Sequence, residues 1–301
     1  MVFSNFIKIN DDLLALHKIG RLHHAIIIDG KDGIGKSKFA QQFANQILQS
    51  AQQFHPNILL IANDKKKEIT VHQIRQISDF VNKSPAINND KFVIIDSACQ
   101  MNNFASNSLL KILEEPRPNN YLFLISHNIA KILPTIYSRC HVVKAKSPDI
   151  DQFTAIVKNH NIDLNDDQIK FLNEICDGSI SLLLNDGKNL IKIYQLLLNS
   201  FIQSKLSDDL LKMASDKEFN FTIFVLAIEF FINRLLKIIS DVKIELFFNE
   251  EIALEIVSKK VSWQKVEKQI DEILNIANKT DRFSLDRKIS VINIFNSLNY
   301  A

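Results

Sequence analysis

Lys36 and Ser37 close a glycine-rich octet, residues 30–37, reading Gly-Lys-Asp-Gly-Ile-Gly-Lys-Ser. The octet has the spacing of a phosphate-binding loop. Its glycines let the backbone curl so that successive N–H groups face phosphate oxygens, the lysine reaches the terminal phosphates, and the hydroxyl is offered to Mg²⁺. Gly30, Gly33, Gly35, Lys36 and Ser37 are therefore candidate nucleotide-binding residues, with Ser37 on the metal. The plain alternative is a ligand-free strand-to-helix turn. Against it stands the context, an apolar run at 25–28 before the octet and a helix-compatible stretch at 38–49 after it. A second acid-bearing position is Asp96, which ends the hydrophobic run Phe92-Val-Ile-Ile. In phosphate-loop proteins an acid there helps hold the metal through water. An aspartate at a strand end serves equally to start a turn.

These residues need a frame, and the first 145 residues describe one. Short apolar runs at 25–28, 58–61, 92–95, 122–125 and 141–143 alternate with helical patterns near 38–49, 71–81 and 104–115. That alternation predicts a parallel sheet with crossover helices, an α/β domain whose ligands gather at the carboxyl ends of the strands. The third helix is the clearest: Asn102 or Asn103 can cap it, Ala105, Leu109 and Ile112 share a face, and Pro116 stops it. Residues 145–149 read as a linker. Beyond them strand signals largely vanish; 150–195 predict about three short helices, one ending at Asp177-Gly178, and longer apolar helices follow at 221–239, 252–261, 264–277 and 287–298. The expected division is 1–145, 146–197 and 198–301.

Composition narrows the classes. The chain has 301 residues, 46% hydrophobic and 23% charged, with a formal net charge of +2, which gives no electrostatic case for whole-surface DNA binding. The start carries no signal-peptide pattern, and the most apolar stretch, 219–239, is interrupted by Asn220, Glu229, Asn233, Arg234 and Lys237, so it reads as a buried helix rather than a membrane span. Cys99, Cys140 and Cys176 are far apart, which argues against a disulfide framework and a zinc site. The chain reads as cytoplasmic, with no membrane partner. The run Lys65-Lys66-Lys67 reads as a solvated loop.

Three further segments carry more specific information: Asn107-Ser-Leu-Leu-Lys-Ile-Leu-Glu-Glu-Pro116, the strand Tyr121-Leu-Phe-Leu-Ile-Ser126, and Leu133-Pro-Thr-Ile-Tyr-Ser-Arg139-Cys140. With the phosphate loop, this series resembles the clamp-loader branch of the AAA+ ATPases, and within it is most similar to the family of delta-prime subunits of bacterial DNA polymerase III. Leu22-His23-His24, His55-Pro56, Val71-His-Gln-Ile-Arg75 and Leu285-Asp286-Arg287-Lys288 extend the likeness over most of the chain. The resemblance implies an AAA+ core, a small helical lid and an all-α collar domain used for oligomerisation. It implies a heteropentameric ring of ATPase subunits and delta that opens a sliding clamp and places it on primed DNA. In that family the arginine matching Arg139 enters a neighbour's nucleotide site, where a guanidinium stabilises charge developing in phosphoryl transfer. A local ion pair is the ordinary alternative for such an arginine.

Two departures from working members of the family stand out. Position 97, where they carry the water-polarising glutamate, is Ser97, and a hydroxyl cannot act as a carboxylate base. The lid arginine that follows a Gly-Ser pair is replaced by Ser181. Both departures are common among delta-prime subunits. Ser126 takes the approximate place of a γ-phosphate sensor, with His127 and Asn128 beside it. A four-cysteine zinc module seen in many relatives is missing from residues 43–55, so no zinc is expected. The resulting expectation is a structural subunit that holds ATP or ADP with Mg²⁺ and turns it over slowly or not at all. The rival is an active AAA+ ATPase subunit; a phosphate-loop small-molecule kinase is disfavoured because no acceptor pocket is apparent.

Overall fold

The computed structural model describes residues 4–52, 55–62, 68–83, 90–260, 263–283 and 285–299; the lysine run at 65–67 lies outside them. The chain forms two compact units. The first comprises Met1–Asp163 with Gly178–Ser181, the second Leu164–Asp177 with Leu182–Ala301.

The first unit is built on five parallel strands, β1 (Ala25–Asp29), β2 (Ile58–Ile61), β3 (Lys91–Ile95), β4 (Asn120–Ser126) and β5 (His141–Lys144), in the order β2-β3-β4-β1-β5. Each expected strand is present, extended by at most two residues at an end. The central strands are hydrophobic along their middles because helices cover both faces, as parallel sheets require. Those helices are α1 (Ile7–Lys18), α2 (Lys36–Ile47), α3 (Val71–Asn82), α4 (Asn103–Glu114), the short α5 (Pro134–Tyr137) and α6 (Ile150–Asn159). On one face Ala25, Ile27, Val93, Ile95, Leu122 and Leu124 meet Ile74, Ile77, Leu109 and Leu113 of α3 and α4. On the other, Phe43 of α2 packs edge-on against Phe92 and Phe123, with ring centroids 6.4 and 5.5 Å away. Asn102 is the residue that caps α4, its side chain accepting the Ala105 N–H at 2.9 Å. The sequence pattern did not announce α1, whose polar residues leave only Asn10 and Leu13 buried.

The second unit is helical among its described residues: α7 (Asp166–Ile175), α8 (Ile180–Ile202) from Leu182 onward, α9 (Asp208–Ala214), α10 (Phe221–Ile239), α11 (Glu250–Ser258), α12 (Trp263–Phe283) and α13 (Arg287–Asn299). Helix α8 differs from the short helix expected before residue 195. Gly187 is buried where an added Cβ would touch Leu172, and the helix runs straight through it for 23 residues. Phe201 stacks between Phe231 and Phe295 at 4.5 and 5.1 Å, joining α8, α10 and α13. No described helix is long and apolar enough to cross a membrane.

The centre of this unit is a charge. Arg234, on α10, is 1% exposed. Its Nη2 donates to Glu250 Oε2 at 2.7 Å, and its Nε lies 2.7 Å from the other oxygen of that carboxylate. Nη1 donates to Glu174 at 2.8 Å, the Glu245 carbonyl accepts from Nη2, and Tyr194 donates its hydroxyl to Glu250. Rings of Phe230 and Phe247 flank the guanidinium at 5.1 and 4.7 Å. Burial and the Glu250 carboxylate push the Tyr194 hydroxyl well above its usual range. Nearby, Arg287 of the Leu-Asp-Arg-Lys segment donates to the carbonyls of Phe219 at 2.7 Å and Lys217 at 3.2 Å, so that segment anchors the turn before α10.

Candidate functional site

The sheet register assembles the site. Asp29 at the end of β1 lies opposite Ser126 at the end of β4, and Lys144 of β5 lies on its other side. Asp96 follows β3 and is held there by its N–H on the Ile61 carbonyl at 2.8 Å. Asp29, Asp96 and Ser126 thus share the carboxyl edge of the sheet from which the loop departs.

Close packing explains the loop's composition. Gly30 donates its N–H to the Ser126 carbonyl at 3.2 Å, and a Cβ at Gly30 would run into the Ala145 carbonyl. Gly33 has φ of +74°, and a Cβ there would overlap the Ser179 hydroxyl. Gly35, at φ +95°, starts α2, so the amides at that helix end converge on the loop. A side chain at either of the first two positions fills space that the backbone needs, and the resulting cradle fits a phosphate.

Lys36 is 4% exposed, and its ammonium donates to the Gly30 carbonyl at 2.8 Å and to the Lys31 carbonyl. Desolvation lowers its pKa below the usual lysine range, against the opposing pull of Asp32, Asp29, Asp96 and Cys99. Ser37 follows it in the first turn of α2. Ser126 is fully buried, and its hydroxyl accepts the Asn128 N–H at 3.1 Å. Ser97 adopts a left-handed conformation, φ 63° and ψ 48°, at the position after Asp96. Ser181 reaches the loop through its backbone, its N–H donating to the Gly33 carbonyl at 2.9 Å.

Sequence reading missed two neighbours. Cys99 Sγ lies 3.4 Å from His127 Nδ1 beside this edge, and Asp32 turns its carboxylate onto the Gly33 N–H at 3.0 Å. No spacing announces either, since the first joins residues 28 apart and the second depends on how one side chain turns onto the next amide. Among the described residues no group of three or more His, Cys, Asp or Glu could hold a metal by itself.

Arg139 is elsewhere. It follows α5 and precedes β5, at the amino edge of a sheet whose phosphate loop leaves the carboxyl edge. A four-residue strand separates those edges by roughly 13 Å at ~3.3 Å per residue. Its Nη1 donates to the Thr135 carbonyl at 3.0 Å, and its Nη2 lies 3.0 Å from Glu114 Oε1, with both side chains half exposed. Two of the segments singled out in the sequence, ending at Glu114-Glu115-Pro116 and at Ser138-Arg139-Cys140, therefore meet through an ion pair. Beside it, burial pushes the Cys140 thiol up to about 12.

A five-stranded parallel sheet with a phosphate loop at its carboxyl edge, followed by a helical region, is a fold of the AAA+ kind. Over 96% of the chain the fold matches a solved structure from Thermotoga maritima described as a DNA polymerase III gamma subunit-related protein, with a TM-score of 0.55, 21% identity and 98% of that chain covered. Residues 8–149 match the model of the family described as DNA polymerase III, delta subunit. Curated relatives named DNA polymerase III subunit delta' include one from Haemophilus influenzae, 33% identical over 143 residues (42% of this chain, 44% of the relative). Another, from Pseudomonas aeruginosa, is 35% identical over 135 residues (39% and 41%). Over residues 8–149 the chain is thus similar to DNA polymerase III delta and delta' subunits. The matched region spans under half the length of these two relatives.

Proposed function

We propose that this chain is a mainly structural subunit of a DNA polymerase III clamp loader, lending Arg139 to a neighbouring subunit's ATP. Its working setting is a cytoplasmic heteropentameric ring with ATPase subunits and delta, acting on a sliding clamp and primed DNA. The division into core (1–145), lid (146–197) and collar (198–301) belongs to this reading. The observation that carries it is the position of Arg139, half exposed at the opposite edge of the sheet from the chain's own phosphate loop. A guanidinium there has no part to play at its own nucleotide, whereas it can be presented to another molecule. The partner it now holds, Glu114, is an exposed carboxylate, and such pairs are worth well under ~1 kcal/mol, so exchange for a phosphate is not opposed by a large barrier.

The chain's own site retains Gly30, Gly33, Gly35, Lys36 and Ser37 to hold ATP or ADP, with Ser37 and Asp96 on Mg²⁺ and Ser126 near the terminal phosphate. The bound metal would supply charge neutralisation across the phosphates. Ser97 cannot take a proton from water at neutral pH, so the nucleotide would act as a structural ligand. Support for the alternative, an active ATPase subunit, comes from the intact geometry around Lys36. Turnover by the isolated chain on the order of 1 per second, lost in Lys36→Ala, would establish that alternative. Reassembly of the loader with Arg139→Ala tests the main reading: the complex should form normally but place clamps on primed DNA poorly.

A further inference from the structure

The phosphate loop already contains an anion of its own. Asp32, exposed at the tip, accepts the Gly33 N–H through Oδ1 at 3.0 Å. That amide belongs to the curl whose N–H groups face phosphate in a loop of this type. After desolvation, Asp32 is also the strongest charged influence on Lys36, ahead of Asp29 and Asp96. Lys36 in turn is drawn down onto the Gly30 and Lys31 carbonyls at the base of the same loop. The loop's donors are thus satisfied from within, one by a carboxylate and one by carbonyls.

We infer that Asp32 sets the affinity of the nucleotide site, its carboxylate competing with the phosphates of a nucleotide for the Gly33 amide. A carboxylate and a phosphate oxygen are both charged acceptors for the same donors, so they cannot share the amide at full strength. Binding must displace Asp32 and then tolerate its charge beside the phosphates, which weakens affinity in a salt-dependent way. The inference rests on the reading of residues 30–37 as a nucleotide site and adds that this site is held below the affinity its lysine and glycines allow.

The test is isothermal titration of the full chain with Mg-ADP and Mg-ATP, at low and at high salt, for wild type, Asp32→Asn, Asp32→Ala and Lys36→Ala. Asp32→Asn removes the charge while keeping an acceptor, and Asp32→Ala removes both. Both should bind nucleotide about fivefold or more tighter than wild type, with the advantage shrinking at high salt as the removed repulsion is screened. Binding by wild type that is lost in Lys36→Ala, with neither Asp32 variant tighter, overturns the competition and leaves the nucleotide site standing. Weaker binding by both variants overturns it too, marking Asp32 as a brace of the loop. No nucleotide bound by wild type or by either Asp32 variant overturns the site and the inference together. Binding by the Asp32 variants alone supports both.

Discussion

Arg139 and Arg234 make the difference between the two units concrete. In the helical unit Arg234 is sealed, with one carboxylate gripping it from two sides, a second carboxylate and a carbonyl completing the set, and aromatic rings on its faces. In the sheet unit Arg139 is half exposed and touches one carboxylate, one carbonyl and the neighbouring Ser138 hydroxyl, all of them near solvent. An arginine gripped by two carboxylates and a carbonyl in a dry interior fixes the arrangement of helices. An arginine held only by exposed partners costs little to redirect. The contrast separates a cation that organises a fold from a cation available for chemistry.

The largest expected effect falls on the sealed arginine. Arg234→Ala leaves the Glu250 carboxylate buried without its partner, a loss on the order of 3–5 kcal/mol. Calorimetry should show the helical unit melting about 10 °C or more lower. Replacing both partners with apolar side chains, Arg234→Met with Glu250→Leu, should recover part of the loss; failure of any single change at Arg234 to alter melting would erase the distinction drawn here.

Thiol chemistry sharpens the same point. Desolvation pushes Cys140 and Cys176 up to about 12 each, with Asp186 adding to the effect on Cys176. At pH 8.5 their thiolate fractions should be roughly a thousandth of a free cysteine's, so alkylation of the native chain at these positions should be correspondingly slow. The sign for stability follows: between ~8.5 and 12 the folded chain keeps protons that the unfolded chain has released. Stability is therefore full below the unfolded thiol range and falls as pH climbs toward 12.

Lys36→Ala should weaken nucleotide binding about 10- to 100-fold, the scale of a charged hydrogen-bond partner, without moving the melting of the helical unit. The smallest effect belongs to Glu114→Gln, which removes the charge paired with Arg139. Its cost in stability should be under ~1 kcal/mol by chemical denaturation. A loss as large as that at Arg234 would mean that Arg139, too, is chiefly a structural residue.

The centre of the sheet was legible because its strands are buried and so are written as unbroken apolar runs, such as Ala25-Ile-Ile-Ile and Phe92-Val-Ile-Ile. The loop was legible because its chemistry permits few alternatives at Gly33 and Gly35, whose positive φ values exclude most side chains. The helical unit was read only in outline. Arg234 looked like a polar interruption in an apolar stretch, and nothing in its local sequence announces partners 60 residues before it and 16 after it. Long-range pairing of single charges leaves no periodicity to detect. For the same reason the contact of Glu114 with Arg139 was hidden although both residues sat in recognised segments.

The most direct measurement is steady-state ATP turnover by the reassembled loader, stimulated by clamp and primed DNA, with wild-type chain and with Arg139→Ala at equal assembly. The account predicts a fall on the order of 10³-fold at the nucleotide site that Arg139 serves, seen as a clear drop in the stimulated rate. An undiminished stimulated rate in the substituted complex would contradict it.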